Sequence, residues 1–131
     1  MGKFVQTSSD DMLEKPLMTG TYPAVIEDCK LSDKHGWGKA HPNAQRFYWA
    51  VRLEATPEVP EAEGRMVRET TPDDPGIAKQ LKKFIRGCGM DPETFDPDDA
   101  IGLKVQASVG QGTDFDGDPV NRINGLVLDN V

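Results

Sequence analysis

A chain of 131 residues is long enough for one domain with a real hydrophobic core. Its formal net charge of −7 and pI near 4.7 exclude a broadly cationic, histone-like binder, but they leave room for a local basic groove. Hydrophobic residues make up 37%, too many for a disordered chain, and no apolar run approaches the roughly 20 residues of a membrane helix.

Residues 1–18 are polar, with Ser8-Ser9-Asp10-Asp11, and read as a flexible N-terminal arm on a domain spanning 19–131. Leu17 and Met18 are apolar enough to dock on that domain. The N-terminus lacks a signal-peptide h-region and a myristoylation pattern, so a soluble cytoplasmic protein is expected. Thr21 to Cys29 predicts a first strand, with Tyr22, Ala24 and Ile26 on one face. Pro23 within it points to an edge position or a strand start. A polar loop follows, Lys34-His35-Gly36-Trp37-Gly38-Lys39, and then a second strand from Gln45. Its alternation sends Phe47, Trp49, Val51 and Leu53 to a core face and Arg46, Tyr48 and Arg52 to the other. An acidic, proline-rich loop leads to a short charged third strand, 65–70. Arg65 and Arg68, three apart on it, are not expected to share a face.

Asp73-Asp74-Pro75 predicts a helix start with proline at its first position. Ile77, Leu81, Phe84 and Ile85 then repeat on one helical face, and Gly87 and Gly89 supply the stop. Leu103 to Val109 alternates as a fourth strand, residues 110–119 form a hairpin loop, and Val120 to Val127 returns as a fifth. Three strands, a helix and two strands is the element order of the OB-fold, a five-stranded all-β barrel with its one helix between strands 3 and 4.

The candidate chemistry lies around strand 2. Trp37 between two glycines and Tyr48 on the outward face are candidate base-stacking platforms. Lys34, Lys39, Arg46 and Arg52 are candidate phosphate contacts. Asp114-Phe115-Asp116-Gly117-Asp118 resembles a calcium loop, but its glycine placement favours a hairpin turn, so no metal is expected. Cys29 and Cys88, with His35 and His41, lack zinc-site spacing and read as reduced thiols. There is no nucleophile–base pairing motif, P-loop, GxGxxG or HExxH, so neither an enzyme nor a cofactor is expected.

Four stretches carry a family resemblance: Gly20 to Asp28, Phe47-Tyr48-Trp49-Ala50-Val51, Gly64-Arg65-Met66-Val67, and Leu81 to Gly89 followed by Gly102-Leu103-Lys104-Val105. In these the chain resembles the small phage single-stranded DNA-binding proteins of the OB-fold class, including a group long catalogued only as a domain of unknown function. The resemblance implies sequence-tolerant binding of single-stranded DNA in phage replication or recombination, within the host-cell cytoplasm. It also implies replication or recombination proteins, or a second copy of the chain, as partners. Many single-strand binders recruit partners through a detached acidic tail. Here Leu128-Asp129-Asn130-Val131 follows the last strand directly, so tail-mediated recruitment is not expected. The alternative is a β-barrel for protein interaction, or a virion component, without nucleic-acid binding; the overall acidity favours it.

Overall fold

The structure, a computed structural model, describes residues 15–129. Five strands, β1 (Gly20–Leu31), β2 (Gln45–Leu53), β3 (Met66–Asp73), β4 (Lys104–Thr113) and β5 (Pro119–Leu128), form one antiparallel sheet in the order β3-β2-β1-β4-β5. The helix α1 (Lys79–Gly87) lies between β3 and β4, as the sequence predicts. The strand β1 is the hinge of the sheet. Its first half (20–25) pairs with β4 and its second (24–31) with β2, and a bulge falls between Ile26 and Asp28. A bulge adds bend and twist to a strand, which curls the sheet into a small barrel-like shell. Among the described residues no backbone ladder joins the end strands β3 and β5, so the sheet stays unclosed.

The strand alternation holds. Trp49, Val51 and Leu53 are buried, and half-buried Phe47 packs on them. Trp49 anchors the core: its indole N–H donates to Thr71 Oγ1 at 2.9 Å, and its ring meets Phe84 edge-on and Phe95 stacked. This arrangement satisfies the polar atom of a large side chain that is otherwise fully buried.

Three expectations need correcting. β4 runs on to Thr113 and pairs with β5 throughout, so the hairpin loop is 114–118 rather than 110–119. Pro23 sits on a central strand, not an edge. It is tolerated because a strand residue's N–H and C=O face the same neighbour. The Pro23 carbonyl accepts from Glu54 N at 2.8 Å, just past the end of β2, so the missing N–H faces no ladder partner. The helix starts at Lys79 rather than at Pro75. Gly76 takes φ +90, outside helical space, so 74–78 forms turns and β3 runs on to Asp73.

The helix stop is where the glycines place it. Gly89 adopts φ +81, Met90 N donates to Ile85 O, and Gly89 N donates to Arg86 O, the paired bonds of a Schellman motif. Of the expected N-terminal arm, residues 1–14 lie outside the described residues. Leu17 is buried in the core cluster and hydrogen-bonds to β4 and β5. Asn121 grips the Leu17 backbone at both ends, accepting from its N–H (2.8 Å) and donating to its carbonyl (3.0 Å).

Candidate nucleic-acid interface

The unclosed seam between β3 and the β4–β5 hairpin forms a groove of about 1070 Å³. The loop between β1 and β2 contributes Trp37 to its lining, 38% exposed. That loop is built as a small knot of hydrogen bonds. Trp37 N donates to His41 O, Gly36 N to Ala44 O, and Ser32 N to Arg46 O, while His41 Nδ1 lies 2.7 Å from Asp74 Oδ2. Gly36 needs its positive φ of +97, where a side chain would also crowd the Pro42 carbonyl.

Of the six residues proposed from sequence, Trp37 and Arg46 line the groove. Arg46 is half-buried; its Nη2 reaches the His35 carbonyl at 3.4 Å, while its buried Nε has no hydrogen-bond partner among the described residues. A buried donor left unpaired costs free energy. Tyr48 lies on the outward face as predicted, but it is not part of the groove wall. Its hydroxyl accepts from Arg68 Nε at 2.9 Å and Lys30 Nζ sits 5.5 Å over its ring, so it positions Arg68. Arg52 is turned to Glu27 on the outside of the sheet, and that hydrogen bond raises its pKa. Lys34 and Lys39 are exposed in the loop and stand apart from the groove wall.

The structure adds Arg65, Arg68, Phe115 and Arg122 to the groove. Arg65 and Arg68 share it despite their spacing of three. Arg65 precedes β3, in the turn after Gly64 at φ +79, so strand alternation does not govern where it points. Phe115 is fully exposed at the tip of the β4–β5 hairpin. An exposed aromatic at a turn flanked by aspartates is the sequence signal that could have found it. Arg122 forms a two-pronged pair with buried Glu69 at the groove floor, 2.9 and 2.7 Å, and this bond raises the arginine pKa.

The hairpin aspartates Asp114, Asp116 and Asp118 come within 4.8 Å of one another. Asp114 already serves the turn, accepting from the N–H groups of Asp116 and Asp118. Among the described residues no helix is long and apolar enough to cross a membrane. The chain matches no family model and no curated protein, and its fold matches no solved structure.

Proposed function

We propose that the chain is an OB-fold single-stranded DNA-binding protein whose ligand lies in the seam groove. The observation that carries this reading is the meeting of exposed aromatics and arginines along one groove: Trp37 and Phe115 on two loops, with Arg46, Arg65 and Arg68 lining the same groove. Stacking platforms beside a cationic track bind single strands with little sequence preference, because every base has a π-face and every nucleotide a phosphate. The strand order and the helix position suit the OB-fold, in which the face of strands 2 and 3 and its flanking loops take oligonucleotides. The resemblance in strands 1 to 4 supports a place in phage replication or recombination. The test is a fluorescence titration with short oligo-dT. Trp49 is fully buried and hydrogen-bonded, so quenching reports on Trp37. Quenching by single strands with weak competition from duplex supports the reading. No quenching and no retention of oligo-dT would leave a barrel that serves protein interaction instead.

A further inference from the structure

A smaller cavity of about 370 Å³ adjoins the groove, sharing Trp37, Glu69, Thr70 and Arg122 with it. At ~30 Å³ per water it has room for roughly a dozen, comparable with the ten heavy atoms of an adenine base. Its chemistry differs from that of the groove. Gln80, on α1, directs its amide nitrogen at the carbonyls of Ile123 and Asn124, at 3.4 and 3.3 Å. Gln111, on β4, directs its amide nitrogen at the Leu17 carbonyl, at 2.8 Å. Every one of these partners can only accept, so the orientation of each carboxamide is fixed and its oxygen is left over. Among the described residues neither oxygen has a donor partner, and both side chains line the cavity. The Glu69 carboxylate beside them is saturated by Arg122 and by the N–H groups of Ile123 and Thr70.

A guest therefore meets an aromatic wall, two neutral carboxamide acceptors and the three N–H groups that Arg122 does not spend on Glu69. That set suits a base carrying an exocyclic amino group, whose two N–H bonds can each meet an oxygen. Thymine, with a single N–H, can meet only one of the two oxygens. We propose that this cavity is a base-selective subsite that takes one adenine from a strand lying in the groove, stacked on Trp37 and donating its amino group to Gln80 and Gln111. The inference rests on the groove reading and adds a preference to it.

The test compares short oligo-dT with the same oligomer carrying one central adenine, and with hypoxanthine at that position, which replaces the amino group by a carbonyl. The adenine oligomer should bind about threefold to tenfold tighter than oligo-dT, the worth of one net hydrogen bond. Hypoxanthine should lose that gain, and Gln80→Leu should bring the adenine-to-thymine affinity ratio close to one. The hypoxanthine arm tests the subsite without altering the protein. If the wild-type chain binds all three oligomers equally, the subsite is overturned while the groove reading stands. If it binds none of them, the groove reading falls and the subsite with it.

Discussion

Glu69 and Arg122 face each other across the gap between β3 and β5, where among the described residues no backbone ladder runs. Glu69 also accepts from Ile123 N at 3.2 Å, so one carboxylate ties β3 to both a side chain and the backbone of β5. The carboxylate is buried while the arginine is about half exposed, and the two partners therefore differ in what their loss exposes.

Removing the arginine leaves a buried carboxylate with backbone donors alone. Breaking a buried pair costs about 3–5 kcal/mol, and the exposure of Arg122 lowers that for Arg122→Met to roughly 1–3 kcal/mol. Urea unfolding measures this, with the Glu69→Gln, Arg122→Met double variant closing the cycle. An unchanged midpoint for Arg122→Met would show that the seam holds without the pair.

Gly87 inverts the usual rule for helices. Glycine to alanine in a helix normally stabilises by about 1 kcal/mol. Here a Cβ at residue 87 would lie 1.7 Å from the Leu126 carbonyl oxygen, which belongs to the backbone of β5. Gly87→Ala should therefore destabilise by about 1–3 kcal/mol or more, the scale of overpacking in a core. A thermal melt gives the sign directly; a rise in Tm contradicts the close packing of α1 on β5.

Binding to oligo-dT should divide the surface cations by position. Base–aromatic stacking is worth about 1–3 kcal/mol, so Trp37→Ala should weaken binding roughly 5- to 150-fold. Each phosphate contact contributes about −0.7 to the log–log salt slope for a single strand. Arg46→Ala and Arg68→Ala should each flatten the slope by about that much. Arg52→Ala, already paired with Glu27, and Lys82→Ala, on the exposed face of α1, should leave it unchanged. Equal losses from all four substitutions would move the ligand off the groove.

The buried thiols set a pH dependence. Burial pushes Cys29 up to about 12, helped by Cys88 and nearby acids, and burial alone pushes Cys88 up to about 11. Both values stand above the ordinary 9.0, so the folded chain holds these protons more tightly than the unfolded one. Their contribution is complete below pH 9.0 and is lost as pH rises toward 11 and 12. Urea midpoints should fall across that window, and the fall should shrink in Cys29→Ala, Cys88→Ala. At pH 8 a thiol reagent should label the native protein far more slowly than the unfolded one; equal rates would place the thiols at the surface.

Much of the fold was legible in local pattern. The alternation along β2 and β4 and the helical spacing of Leu81, Phe84 and Ile85 assign their faces, because side-chain direction follows backbone period alone. The glycine stop at Gly89 is equally local. The capping signal of Asp73, Asp74 and Pro75 does not start the helix, because Gly76 overrides it through a positive φ that residue type permits but does not require.

The candidate site was only partly legible. Trp37 and Arg46 follow from their setting in one loop and one strand, and both line the groove. What the tertiary structure alone decided is which outward-facing groups meet. The curl of β1 at its bulge brings β3 opposite β5, so Arg68, Arg122 and Phe115 converge from distant parts of the chain. The same outward face of β2 carries Tyr48 and Arg52, which find partners in Arg68 and Glu27 instead. Period fixes the side of the sheet a residue occupies. Sheet curvature and the partners across it fix whether that residue remains available to a ligand.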